Sequence, residues 1–291
     1  MTESAALPQP LAQWVEPVVG PAQNVRDASH ERENSRVWEV AGPVGRHFVK
    51  VAPQPLACTR ETRAYRAAVP RLGFGNAPVL KDSSADLRAM VLTAVDGQPL
   101  KEEPSSSTRR AAHTQAGRLL RRFHDAYVDR AAQTEAVHVI EGAVAVLDKH
   151  LAAAGDHLSA VESDMLRRRV SALPSLGPLP AGLLHGDFRE RNFLWDGWRC
   201  ALIDLERSAP VPPVADLGRL ATAHWPLRSE LRAAFFDGYG RALSDVEEPA
   251  LVTISAADAA SALVHGPRHG DPQVTERGRR TVERRTREER R

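Results

Sequence analysis

The chain has 291 residues, a length that suits two lobes around a cleft. Its hydrophobic content of 42% is enough for a real core, and its 26% of charged residues is ordinary for a soluble protein. A formal charge of +2 is too small to argue for a nucleic-acid partner, and no run of ~18 apolar residues exists to cross a membrane.

Residues 1–24 read as a Pro-rich lead with one short helix near Leu11 to Val15. The stretch Met1 to Pro10 has neither a basic start nor an apolar core, so no secretory signal is expected. Cys58 and Cys200 then read as free buried thiols in a reducing cytoplasm, not as a disulfide or a metal site. Residues 25–95 alternate strands with one helix and form a small sheet lobe. Within it, Arg46-His47-Phe48-Val49-Lys50-Val51 alternates like a half-buried strand, which turns Lys50 away from the face of Val49 and Val51. Taken alone, such a lysine is a solvated side chain. Glu61 to Ala67 reads as a helix, and Leu87 to Thr93 as an apolar strand. That strand runs into Ala94-Val95-Asp96-Gly97, which is either a plain exit into a turn or a functional hinge.

After Gly97 the pattern becomes helical, and residues 96–291 form the larger lobe. Ala112, Ala116, Leu119, Leu120, Phe123 and Tyr127 recur at helical spacing behind the capping candidates Ser105 to Thr108. A second helix is expected over Ala136 to Ala154, and Ser159-Ala160-Val161-Glu162 fits a capping box that opens a third. Pro174 to Pro180 is a linker. Further helices are expected over Ala215 to His224, Ser229 to Leu243 and Ala256 to Val264. His113, His124 and His138 show no zinc spacing; His224-Trp225 reads as capping and packing, with substrate contact as the alternative. In the Arg-rich tail, 272–291, Glu276/Arg280 and Glu283/Arg287 favour a solvated helix over an RNA- or acid-binding arm, with little apolar surface beyond Val282.

The linker leads into the most informative segment, 183–206. It reads Leu183-Leu184-His185-Gly186-Asp187-Phe188-Arg189-Glu190-Arg191-Asn192-Phe193-Leu194-Trp195, then Ala201-Leu202-Ile203-Asp204-Leu205-Glu206 after a turn. Asp196-Gly197 is a strong two-residue hairpin signal, which sets Asn192 opposite Ala201 and Asp204 just past the end of its strand. Two hard oxygen donors, Asn192 and Asp204, then emerge at one end of the hairpin and suit Mg²⁺. Asp187, in the loop opened by Gly186, is placed to orient a substrate hydroxyl and accept its proton. His269-Gly270-Asp271 repeats the tripeptide without the later Asn, and Pro272 follows it directly. That copy reads as a loop in which Asp271 caps a helix.

On these residues the chain resembles the aminoglycoside phosphotransferase family, antibiotic kinases with a protein-kinase-like fold. The family pattern His-Gly-Asp-x-x-x-x-Asn, followed by a hydrophobic-Ile-Asp, stands here as His185-Gly186-Asp187, Asn192 and Leu202-Ile203-Asp204, and the resemblance covers residues 25–225. It implies an α+β, two-lobe fold, with a small N-terminal antiparallel sheet lobe and a larger, mainly helical C-terminal lobe. It implies Asp187 as the catalytic base, Asn192 and Asp204 as metal ligands, and His185 as a brace of the loop. Lys50, held by Glu61, would sit on the α- and β-phosphates of ATP, and Thr93 to Val95 would meet adenine through main chain. Asp216 matches the family's Asp at the start of the following helix, as a brace of the catalytic loop or as a plain N-cap. One departure is the lid over the phosphates: Ser29 to Arg36 has no glycine, which leaves Asn34 and Ser35 as its donors.

The activity implied is phosphorylation of a small-molecule hydroxyl, dependent on Mg²⁺ and on ATP or another nucleoside triphosphate. The acceptor would be an antibiotic, an aminoglycoside or another natural product, and the outcome resistance. The enzyme would act in the cytoplasm as a monomer or homodimer, without a nucleic-acid or membrane partner. A metabolic kinase of choline-like alcohols or sugars and a catalytically silent kinase-like binding module stay open. A polycationic substrate needs an acidic cleft, for which Asp237, Asp245, Glu247, Glu248 and Asp258 are candidates, with ordinary helix surface as the alternative. A protein kinase is disfavoured, because the loop lacks His-Arg-Asp and Leu205-Glu206 stand where Phe-Gly would follow the Asp.

Overall fold

In a computed structural model, which describes residues 6–29, 35–100, 105–126, 147 and 149–290, the elements follow the expected order, strands first and helices after. The chain divides into two units, residues 1–108 with 185–209, and 109–184 with 210–291. The segment 185–209 groups with the sheet, not with the helices that flank it in sequence.

In the first unit, α1 (Gln9–Val19) is followed by β1 (Asn24–Asp27), β2 (Arg36–Gly42), β3 (Gly45–Val51), α2 (Pro55–Ala67), β4 (Leu80–Ser84) and β5 (Ala89–Thr93). The strands form an antiparallel sheet in the order β1-β2-β3-β5-β4. α1 is longer than the short helix expected and is part of the core. Its Leu11, Val15 and Val19, spaced four apart, pack with Trp38, Val40, Val49, Ala89 and Val91. Each Leu or Val buried fully in this way contributes about 1.5–3 kcal/mol.

Strand alternation settles the direction of Lys50. Val49 joins the cluster under α1, so Lys50, together with Arg46 and Phe48, faces the other side of the sheet. α2 buries Cys58, Glu61, Ala64 and Tyr65, one helical stripe. β5 begins at Ala89, not at Leu87, because Arg88 takes a left-handed φ of 50° in a turn closed by its N–H on the Ala85 carbonyl.

The 193–202 hairpin forms with a register different from the expected one. Leu194, not Asn192, lies opposite Ala201, and Trp195 lies opposite Cys200. Asp196 opens the turn instead of sitting at its centre. Its Oδ1 accepts the N–H groups of Trp198 and Arg199 at 2.9 and 2.7 Å, and only Gly197 takes a positive φ, 117°. The central pair is therefore Gly197-Trp198, and Asn192 comes level with Ile203, whose N–H reaches its carbonyl at 3.3 Å.

The second unit is helical, with Ser106–His124, Ala160–Ser171, Ser229–Tyr239, Glu247–Arg268 and Pro272–Glu289 as its longer described helices. The capping box at Ser159/Glu162 is formed in both directions. Most of the helix expected over 136–154 lies outside the described residues, as do His138 and Tyr127. The helix expected over Ala256 to Val264 runs much longer, Glu247–Arg268. Asp271 caps the terminal helix, accepting the Val274 N–H at 3.1 Å, with Pro272 in its first turn. That helix is docked, not solvated: Gly278, Thr281, Val282 and Arg285 are buried, and Gly278 lies against Ala259, Ala262 and Leu263. Among the described residues no helix is long and apolar enough to cross a membrane.

Candidate functional site

The site residues of the first unit gather at the open face of the sheet and the base of the hairpin. Lys50, on β3, has its Nζ 3.0 Å from both Glu61 carboxylate oxygens, 3.0 Å from Asp204 Oδ1 and 3.2 Å from Glu206 Oε2. Glu61 reaches it from the buried stripe of α2. Asp204 reaches it because the chain leaves its strand through a left-handed residue, φ 66° at Asp204, a conformation that Asp tolerates. Burial works against the charge of Lys50, but the carboxylates of Glu61, Asp204 and Glu206 outweigh it and hold the ammonium protonated. Burial pushes Glu61 up to about 7 against the pull of Lys50, with Asp204 and Glu206 adding to the rise. Ser35, expected as a phosphate donor, gives its hydroxyl to Glu206 at 3.0 Å. Asn34 lies outside the described residues.

Lys50, Glu61, Asn192 and Asp204 line one cavity of about 590 Å³, with Val37, Phe48, Tyr65, Leu92, Thr93, Val95 and Leu194 among its apolar and hinge walls. Of the three hinge residues, two have their N–H groups committed within the sheet lobe. The Thr93 N–H bonds the Val79 carbonyl at 3.0 Å, the Thr93 hydroxyl accepts from Val79 N–H, and the Ala94 N–H bonds the Arg46 carbonyl. Val95 is the hinge residue whose N–H has no partner among the described residues.

Gly186 takes a φ of 87°, and a Cβ there would collide with the Arg207 carbonyl, so the loop turn needs glycine. His185 is fully buried; its Nδ1 accepts the Asp187 N–H at 3.4 Å, and its carbonyl accepts the Ser208 hydroxyl. Phe188 packs on Phe193 with ring centroids 4.6 Å apart, which anchors the loop in the core. Asp187 Oδ2 accepts from Arg189 at 2.7 Å, Arg191 at 3.3 Å and the Asn192 amide at 3.1 Å. The same amide donates to the Asp187 carbonyl at 2.8 Å. Burial pushes the Asp187 carboxyl up, but Arg189, Arg191 and Arg207 together hold it below the usual carboxylate range. With its amide nitrogen on Asp187, Asn192 keeps its amide oxygen as the atom that can take a cation.

Asp216 belongs to the second unit, and the N-cap reading of it is overturned. It sits in the 3-10 turn Pro213–Leu217, and the helix Gly218–Ala223 has no side-chain cap. Its Oδ2 lies 3.0 Å from His124 Nε2, and His124 Nδ1 lies 2.8 Å from the Tyr239 hydroxyl, all three buried. Of the acidic residues considered for a polycationic substrate, Glu247 bonds Arg241, Glu248 bonds Arg232, and Asp258 bonds Arg277. Sequence reasoning assigned no role to Glu206, Arg189 and Arg191. Their positions two and four residues past the key aspartates were the signal that could have found them.

Among the described residues no three His, Cys, Asp or Glu side chains form a complete metal cage. The donor set suits a different kind of site. Three carboxylates share one ammonium and leave an excess of negative charge beside a neutral amide oxygen, which fits Mg²⁺ that completes its shell with phosphates and water.

The model of the phosphotransferase enzyme family (APH) matches residues 24–251. No curated protein sequence matches the chain. Among solved structures, the streptomycin–ATP ternary complex of APH(2")-IIa aligns with a TM-score of 0.66 at 14% identity, over 96% of this chain and 97% of that one. The macrolide 2'-phosphotransferase MphH from Brachybacterium faecium aligns with a TM-score of 0.61 at 14% identity, over 94% and 96%. The spectinomycin phosphotransferase APH(9)-Ia, with ADP and spectinomycin, gives 0.57 at 14%, over 96% and 94%. At these identities the likeness is one of fold, the protein-kinase-like α+β fold expected. The family match spans most of the chain, and so the chain belongs to the phosphotransferase enzyme family, as a small-molecule kinase with a hydroxyl acceptor.

Proposed function

We propose that the chain transfers the γ-phosphoryl group of ATP, with Mg²⁺, to a hydroxyl of a small natural-product antibiotic in the cytoplasm, with resistance as the result. The observation that carries this reading is a single cavity lined by Lys50, Glu61, Asn192, Asp204 and the hinge, with Asn192 bonded directly to Asp187. Val95 offers its N–H to adenine, and Phe48 and Leu92 cover the base. Lys50, held by Glu61, meets the phosphates. Asn192 and Asp204 would hold Mg²⁺, which offsets charge on the phosphates when bound. Asp187 orients the acceptor hydroxyl and takes its proton, and His185 braces its loop. Asp216 keeps its expected role as a supporting residue, with one carboxylate oxygen held by His124. The contribution of such groups is mostly positioning and electrostatics.

The acceptor panel spans polycationic, neutral and anionic natural products, because Glu247, Glu248 and Asp258 are paired with arginines while Asp237 and Asp245 lie exposed. A panel of hydroxyl-bearing antibiotics, choline-like alcohols and sugars, read by ADP release and by mass detection of an added phosphate, tests the proposal. Phosphorylation of an antibiotic supports it. Turnover of only a metabolic alcohol would leave the kinase and remove the antibiotic. No MgATP binding at all would leave a silent binding module.

A further inference from the structure

A second cavity of the first unit has no part in the site described above. It encloses about 670 Å³ between α2 and the end of β4 with its following turn. Its walls carry two guanidinium groups, Arg63 and Arg66, and four hydroxyls, Thr59, Thr62, Ser83 and Ser84, but no Asp or Glu. Asp82, the carboxylate next to the β4 wall, accepts the Ser83 N–H at 2.8 Å and lines a neighbouring cavity instead. The nucleotide cavity mixes both signs of charge; this one is cationic only.

The hydroxyls are set in a definite way. Ser83 Oγ accepts from the Arg66 guanidinium at 3.0 Å, across the gap between helix and strand, and Ser84 Oγ accepts the Leu87 N–H at 3.2 Å. Each serine keeps its own O–H as a donor. The Thr59 hydroxyl donates to the Pro55 carbonyl at 3.0 Å and keeps its oxygen as an acceptor. Guanidinium forks and O–H donors together suit the oxygens of a phosphate, and the remaining hydroxyl oxygen suits O–H groups beside it. A volume of this size admits a molecule larger than a phosphate ion. The chemistry that matches both halves is a phosphate monoester carried on a sugar or polyol.

The position of the cavity gives an occupant a consequence. α2 turns Cys58, Glu61 and Tyr65 inward on one stripe, and Thr59, Arg63 and Arg66 outward on another. A ligand held by both the outer stripe and the β4 wall resists movement of α2 away from the sheet. The same helix carries Glu61 to within 3.0 Å of Lys50.

We propose that this cavity is a second ligand site, for a phosphorylated sugar or polyol bound by Arg63 and Arg66, and that its occupant steadies α2 and so keeps Glu61 on Lys50. The site stands independently of the kinase reading above; its effect on nucleotide binding rests on that reading. By linkage, a ligand that favours the placed helix tightens nucleotide binding, and nucleotide tightens the ligand by the same factor.

Calorimetric titration of the full-length protein with glucose 6-phosphate, and with glucose as the uncharged control, tests the site. Saturable binding of the phosphate ester with none of glucose is expected. Arg66→Ala should weaken it about tenfold, and Arg63→Glu with Arg66→Glu should abolish it; both side chains are exposed, so the variants keep the fold. Binding unchanged in the double variant places the ester elsewhere and overturns the proposal, as does equal binding of glucose or no binding at all. A fluorescent ATP analogue titrated with and without glucose 6-phosphate then tests the link. The ester should tighten the analogue a few-fold in wild type and leave the double variant unaffected. Equal nucleotide affinity with and without bound ester overturns the link through α2. Failure of the kinase reading looks different: the analogue does not bind wild type, while the ester still does.

Discussion

Two charged clusters in the first unit are built in opposite senses. At Lys50 one ammonium meets three carboxylates; at Asp187 one carboxylate oxygen meets two guanidinium groups and an amide. The two central groups are equally inaccessible, 7% and 6% exposed. Burial alone disfavours charge on either, so their partners decide the outcome. The Lys50 cluster keeps surplus negative charge and suits a divalent cation. The Asp187 cluster keeps its carboxylate ionised and aimed. The same physics thus gives one cluster the surplus negative charge that the proposed metal-nucleotide site needs, and the other the ionised carboxylate that the proposed base needs.

The comparison breaks most visibly at Asp187. Asp187→Ala or Asp187→Asn is expected to lose about a hundredfold or more in turnover while MgATP still binds. Steady-state ADP release beside a nucleotide titration checks it, and near-normal turnover removes the proposed base. Lys50→Met strikes the other cluster. It leaves Glu61 buried without a counter-charge and should cost about 3–5 kcal/mol of stability, with nucleotide affinity lost as well. Denaturant unfolding measures the first effect and equilibrium binding the second; a variant as stable as wild type would mean that the three carboxylates do not depend on Lys50. Asp204→Asn removes the carboxylate proposed as a ligand but keeps the shape. It should weaken Mg²⁺-nucleotide binding about tenfold or more while metal-free nucleotide binding changes less. Equal changes with and without Mg²⁺ would count against a ligand role.

A pH series on the metal-free protein sharpens the contrast with the smallest effect. Glu61 is raised from 4.5 to about 7, so its contribution to stability is full below about pH 4.5 and is lost as pH rises toward 7. Asp187 is lowered from 3.8, so its contribution is present above about pH 4 and is lost as pH falls through its folded value. Glu61→Gln should flatten the first window and Asp187→Asn the second. A single variant that flattens both would show that the clusters titrate as one unit.

The doubled tripeptide shows how much of this was legible. His185-Gly186-Asp187 and His269-Gly270-Asp271 are identical, yet Pro272 and the missing Asn mark the second as a helix cap, and there Asp271 does accept the Val274 N–H. The direction of Lys50 was legible from period-two alternation, and the capping box at Ser159 from its own four residues. The hairpin was legible as a hairpin but not in its register. Asp196 can stand at the first corner of a turn or at its centre, and only its side-chain bonds to Trp198 and Arg199 decide between them. The docking of the terminal helix was hidden for a related reason. Its Arg-rich sequence looks solvated, whereas Gly278 and Val282 meet a partner helix that sequence spacing does not name.

Local chemistry therefore determined the inventory: which residues carry oxygen ligands, which strand carries the lysine, where helices begin and where the chain must turn. These depend on interactions a few residues long, and they survive any arrangement of the rest. Tertiary structure alone decided that Glu206 joins Lys50 and takes the Ser35 hydroxyl, that Arg189 and Arg191 close on one oxygen of Asp187, and that the Thr93 N–H bonds the Val79 carbonyl. Those contacts follow from which charges share one buried volume, and a long-range Coulomb or hydrogen-bond partner leaves no periodicity behind in the chain that supplies it.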